Sequence, residues 1–190
     1  MSLSLITAPA SEPVSPEEIK AYLRVTTPDD DNLISSLMVT ARHALEARAG
    51  IAFLHQDWVY TQEISQYAEI CLPLSPVSAI NLIQIKNTND AYIDISLDEF
   101  EIELGLTATL SPTDPFQLLH YLDASSTKSI KIGFTAGFSS KDQIPADLRH
   151  SLFLLTAHFY ENRESASEER VFSIPRTVDA LLAPYRRVKL

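Results

Sequence analysis

The chain has 190 residues, of which 45% are hydrophobic and 21% charged, enough apolar side chain for a buried core and too much for a disordered chain. The length fits one domain, or one domain carrying a sizeable insertion. Fifteen Lys and Arg against twenty-five Asp and Glu give a net charge of −10, which argues against a dedicated nucleic-acid binder, whose affinity comes largely from neutralising phosphates.

The chain opens on Met1-Ser2-Leu3-Ser4-Leu5-Ile6, which lacks the basic start and long apolar run of a secretory signal. Residues 1–13 mix Ser, Pro and Ala and read as a flexible, extended arm. A first helix is expected next, with Ser15 as N-cap, Pro16 at the first helical position and Glu18 as the capping-box partner. Ile19 and Leu23 fall on one face, and the helix ends near Arg24. Thr27-Pro28-Asp29-Asp30 then places acidic residues at the positive start of a second helix. Leu33, Ile34, Leu37, Met38, Ala41, Ala44, Leu45 and Arg48 follow the helical period, and Gly50 stands where a left-handed cap is expected.

From Ile51 to about Ser140 the period shifts towards two. Phe100, Ile102 and Leu104 alternate with Glu99, Glu101 and Glu103, and Ile130, Ile132 and Phe134 alternate with Ser129, Lys131 and Gly133. These are strands with one wet face. Trp58 to Thr61 and Ile80 to Ile85 are further strand candidates, and Asn87-Thr88-Asn89-Asp90 supplies a turn. A third helix starts at Pro145 with Leu148, Leu152, Leu155 and Phe159 on one face. Phe153, Leu154, Ala157 and Tyr160 fill much of the rest, so this helix asks for cover on two sides, the second from a neighbouring subunit. A polar segment, Glu161 to Glu169, leads to a short helix over Thr177 to Leu182 and a basic end with Arg186, Arg187 and Lys189. The expectation is an α+β fold: about four helices from residues 14–50 and 144–184, an antiparallel sheet region inserted at 51–140, and a tail at 185–190.

Chemistry is hard to find. Asp29-Asp30-Asp31-Asn32 lacks the glycine and glutamate of an EF-hand loop, so helix capping is the better reading. His150, His158 and Glu161 share one side of the third helix and could ligate a metal, but no second helix offers a matching pair. Gly133-Phe134-Thr135-Ala136-Gly137 is neither a P-loop nor a dinucleotide fingerprint, and reads as a strand-end bulge or turn. Cys71, the one cysteine, lies in the apolar run Ile70-Cys71-Leu72 and suits a structural thiol made in a reducing cytoplasm. No run of about 18 apolar residues is present, so no membrane span is expected. No catalytic, cofactor or metal residue is assigned.

Several distinct segments follow one another along the chain. Glu12-Pro13-Val14-Ser15-Pro16-Glu17-Glu18-Ile19-Lys20-Ala21-Tyr22-Leu23-Arg24-Val25 is followed by Asp30-Asp31-Asn32-Leu33-Ile34, and then by Ala41-Arg42 to Glu46 and Gly50 in an A-R-x-x-x-E-x-x-x-G spacing. Leu72-Pro73-Leu74-Ser75-Pro76-Val77, Gly133-Phe134 to Gly137-Phe138, Ile144-Pro145-Ala146-Asp147-Leu148-Arg149, Ala157 to Glu164 and Leu181-Leu182-Ala183-Pro184-Tyr185-Arg186 continue the series. This set resembles the head–tail connector (adaptor, head-completion) family of tailed phages and prophages; residues 87–123 match least.

The resemblance implies a non-enzymatic virion subunit, made in the bacterial host cytoplasm. It would assemble with copies of itself, commonly as a dodecameric ring, beneath the portal protein at the capsid–tail junction. There it would extend the DNA channel and offer a platform to stopper or tail, with DNA passing without sequence-specific binding and no membrane involved. Tyr160, Arg163, Tyr185 and Arg186 match the family's motifs and are the candidate contact residues, with Arg187 and Lys189 in the basic tail. A fold-holding role for the two tyrosines and two arginines remains open. The alternatives are a β-rich binding module, such as another virion or tail protein, and a small metal-dependent enzyme using His150, His158 and Glu161.

Overall fold

The computed structural model describes residues 1–63, 69–86, 91–114, 129–162 and 174–186. Among the described residues the fold is α+β, with four α-helices and eight antiparallel strands. The chain divides into two compact units: a sheet unit of Met1–Ala10 and His55–Phe138, and a helical unit of Ser11–Leu54 and Ser139–Leu190.

In the helical unit, α1 (Pro16–Leu23) starts on the expected capping box. Ser15 Oγ accepts from the Glu18 amide at 3.2 Å, and Glu18 Oε2 accepts from the Ser15 amide at 2.8 Å. The two bonds satisfy amides that a helix start leaves open. Helix α2 (Asp31–Ala49) buries Ile34, Met38, Ala41, Leu45 and Ala49, one stripe at helical spacing, and ends on Gly50 with φ 69°. Leu33 and Leu37, which the period also selects, are only half-buried. Asp30 stands at the N-cap of α2 but makes no side-chain cap bond. Its ψ of 5° is outside the extended region from which a cap carboxylate reaches the first-turn amides, so the expected acidic capping is not realised there.

Helix α3 (Ala146–Glu161) packs on α2 and buries Leu148, Ser151, Leu152, Leu155 and Thr156. Phe159, expected on the core face, is half-buried. Helix α4 (Arg176–Leu182) docks on α3 through Val178 and Leu182, both fully buried.

The sheet unit holds a five-stranded sheet in the order β1-β2-β8-β4-β5 and a three-stranded sheet in the order β3-β7-β6. The larger contains β1 (Ser2–Thr7), β2 (Gln56–Glu63), β4 (Val77–Lys86), β5 (Tyr92–Asp94) and β8 (Ser129–Ala136). The smaller contains β3 (Ile70–Cys71), β6 (Phe100–Glu103) and β7 (Thr109–Pro112). Both turn apolar rows inward: Ile130, Ile132, Phe134, Ile83 and Ile85 from one, Ile70, Phe100 and Leu110 from the other. A bridge between Val77 and Gly105, with amide–carbonyl bonds of 2.8 and 3.1 Å, ties the two sheets.

Several details depart from the alternation pattern. Strand β6 stops at Glu103, so Leu104 lies half exposed beside Gly105, whose φ of 117° ends the strand. Strand β4 carries two register shifts against β8, where Ser78 and Asn81 are extra residues. Both bulged side chains turn back to Thr135: Ser78 Oγ donates to its carbonyl at 3.2 Å, and Asn81 Nδ2 to its Oγ1 at 2.9 Å. Gly133 lies mid-strand opposite Leu82, and a Cβ added there would meet the Leu82 Cβ at 3.1 Å. The glycine therefore serves a close strand approach, while Gly137, with φ 113°, forms the turn just beyond the strand. Within residues 1–13, expected as a flexible arm, Ser2–Thr7 pairs with β2 as the sheet's edge strand. The turn expected at Asn87-Thr88-Asn89-Asp90 lies outside the described residues.

Candidate assembly surface

Of the contact residues expected from the sequence, Tyr160, Tyr185 and Arg186 are described, whereas Arg163, Arg187 and Lys189 lie outside the described residues. Tyr160, in the last turn of α3, donates its hydroxyl to Asp30 Oδ2 at 2.6 Å and so ties α3 to the start of α2. Tyr185 donates to Asp147 Oδ1 at 2.7 Å, joining the chain just after α4 to the first turn of α3. Burial, and then the Asp147 carboxylate, push the Tyr185 hydroxyl up to about 12. Arg186 pairs with Asp179, which also receives both Nε and Nη2 of Arg48 at 3.1 and 3.2 Å. The Arg48 hydrogen bond, assisted by Arg186, holds the Asp179 carboxyl below its usual range. Tyr160 and Tyr185 thus hold elements of the helical unit to one another, and Arg186 holds the chain end to α4.

A second network accounts for the A-R-x-x-x-E-x-x-x-G spacing. Arg42 Nη1 donates to Glu46 Oε2 at 2.9 Å, one helical turn along α2, and both side chains are nearly buried. Arg42 also forks onto Glu12, with Nε at 2.8 Å and Nη2 at 3.2 Å. Glu46 Oε1 accepts from the Phe53 amide at 3.0 Å, and Gly50 turns the chain so that Phe53 comes back to it. The roles of Glu12 and Asp179 carried no sequence signal, because their partners are 30 and 131 residues away.

The surface left over is aromatic. On α3, Phe153, Leu154 and Ala157 are half-buried on the side turned away from the fully buried row. Tyr22, at the end of α1 and 43% exposed, packs against Phe153 with ring centroids 5.3 Å apart and against His150 edge-on at 6.3 Å. His150 is thus part of an aromatic cluster, while His158 contacts Asn162 through its Nδ1 at 3.2 Å. Among the described residues, no group of three His, Cys, Asp or Glu side chains is placed to hold a metal ion. Cys71, on the short strand β3, is exposed, and not enclosed as its apolar neighbours had suggested. No described helix is long and apolar enough to cross a membrane.

No curated protein matches the chain. Among solved structures, a chain from the neck of an empty gene transfer agent particle, computed with C6 symmetry, superposes with a TM-score of 0.78 at 22% identity, covering 100% of this chain and 97% of that one. Chains from the virion of the native particle and from its neck computed with C12 symmetry each give a TM-score of 0.77 at 21% identity, with the same coverage. The likeness establishes a shared fold. The family model described as head completion protein matches residues 13–188, which takes in both helical segments and the sheet between them, and the chain belongs to that family.

Proposed function

We propose that this chain is a structural subunit of a phage or prophage head–tail connector, working as one copy in a ring that docks on the portal and extends the DNA channel towards stopper and tail. The match of residues 13–188 to the head completion protein family carries this reading. The fold shared with neck chains of gene transfer agent particles computed with C6 and C12 symmetry supports it.

The half-buried side of α3, with Tyr22 packed on Phe153, supplies the subunit contact in this reading. A helix apolar beyond one stripe is best covered on both sides. The net charge of −10 suits a channel wall, since DNA passes most freely where no basic patch neutralises its phosphates. The basic end, Arg186 with Arg187 and Lys189, gives the portal or the next neck protein a contact of opposite sign. The work is done by assembly and not by catalysis.

A deletion of the gene tests the reading. Particles made without this chain should stop as tailless heads, and restoring the chain should restore tailed particles. Tailed particles of normal number and infectivity from the deletion would remove the proposal.

A further inference from the structure

Strand β1 contributes unusually little to the unit it belongs to. All six of its residues are exposed, and it forms the outer edge of the larger sheet with only β2 beside it. Its register places Leu5 beside Trp58, which is beside Phe134, and Leu3 beside Tyr60, which is beside Ile132. Side chains directly opposite on neighbouring strands share a face. Leu3 and Leu5 therefore continue the buried rows of Phe134 and Ile132, yet remain 37% and 43% exposed. Ile6 is an extra residue at a register shift and is 64% exposed.

The chain on either side of the next few residues is fixed. Thr7 is still paired with Asp57, whereas Glu12 is held by Arg42 and Val14 is fully buried. Between them lies Ala8-Pro9-Ala10-Ser11, a short segment at which the chain passes from the sheet unit into the helical unit. Such a stiff, short hinge beside a lightly held terminal strand is the arrangement that favours exchange of that strand between identical chains.

We infer that β1 is a donor strand, which in the assembled ring lies on the β2 edge of the adjacent copy, and that its seat is the one the β1–β2 register displays. This inference rests on the ring reading given above. The occupant is a second copy of this chain, because the seat already pairs with Ser2–Leu5 and Thr7, and no other complementarity has to be built. Exchange keeps every ladder hydrogen bond and adds contacts between copies. It is also a head-to-tail contact, in which each chain gives one strand and receives one. Contacts of that kind leave no free ends only when rotation closes them into a ring.

The register supplies the test. Ser4 faces Val59, and Ser2 faces Thr61. Opposed Cα atoms in an antiparallel pair are about 4.5–5.5 Å apart, within disulfide reach. Full-length chains with Cys71→Ser and either Ser4→Cys or Val59→Cys are mixed, alone and with the portal protein of the same particle, then oxidised gently. Size is followed by light scattering, and covalent products are read on a denaturing gel without reductant. A disulfide-linked pair of the two chains as the main product is the expected result. Rings without that pair, together with an internal bridge in a chain carrying both cysteines, would overturn the exchange and leave the ring reading standing. The linked pair in a closed dimer would keep the exchange and remove the ring. Neither ring nor linked pair would remove both. The pair Ser2→Cys and Thr61→Cys repeats the measurement on the same face, should Val59→Cys fail to fold.

Discussion

Arg42 sits in α2 with a side chain only 6% exposed, forked onto Glu12 and bonded to Glu46. Truncating it takes the guanidinium away from the nearly buried Glu46 carboxylate, a loss of about 3 kcal/mol. Arg42→Ala should lower the urea midpoint by a corresponding amount without changing the slope, and an unchanged midpoint would contradict this account of the spacing. Tyr185 allows a test by pH. Its folded hydroxyl is raised from an ordinary 10.0 to about 12, so the neutral form is the one the fold favours. That contribution is complete below pH 10 and is lost as pH rises through about 12. The stability of the native chain should fall across that window more steeply than that of Tyr185→Phe, which has no hydroxyl to ionise. Parallel curves from pH 9 to 12 would show that the Asp147 contact carries no such linkage.

The helix ends are specified by local chemistry, and they can be tested one residue at a time. Ser15→Ala removes one arm of the capping box and should cost about 1 kcal/mol. Gly50→Ala forces a side chain into a left-handed conformation at φ 69° and should cost about the same. Thermal unfolding of each variant reads these losses, and no change for Gly50→Ala would mean the cap relaxes. The locality of caps explains what was legible in the sequence: Ser15, Pro16, Glu18 and Gly50 act within one turn, so α1 and α2 could be placed from residue order alone. Strand β1 could not, since an exposed edge strand is defined by its partner and not by a buried alternation of its own. The bulges at Ser78 and Asn81 were hidden for the same reason, and Asp30 read as a cap because its distant partner Tyr160 leaves no local trace.

Across the chain, Ser11–Leu54 and Ser139–Leu190 build the helical unit, while Met1–Ala10 joins His55–Phe138 in the sheet unit. The family was readable from ordered segments spread over the length of the chain. For Tyr160, Tyr185 and Arg186 the sequence left an assembly contact and a fold-holding role both open, and within the chain they are engaged on Asp30, Asp147 and Asp179. In the ring reading, the half-buried side of α3 is a further candidate for a contact between copies. The double variant Tyr22→Ser, Phe153→Ser should keep its helical circular dichroism and most of its stability, since both side chains are partly exposed, while losing assembly. Full assembly by that variant would move the interface elsewhere.

Whether this chain works as one copy in a ring on the portal is decided by size-exclusion chromatography with light scattering, on the chain alone and mixed with the portal protein of the same particle. A ring-sized mass alone, or co-elution with the portal at many copies per portal ring, is the predicted result. A chain that stays at 21.2 kDa under both conditions and never joins the portal would contradict it.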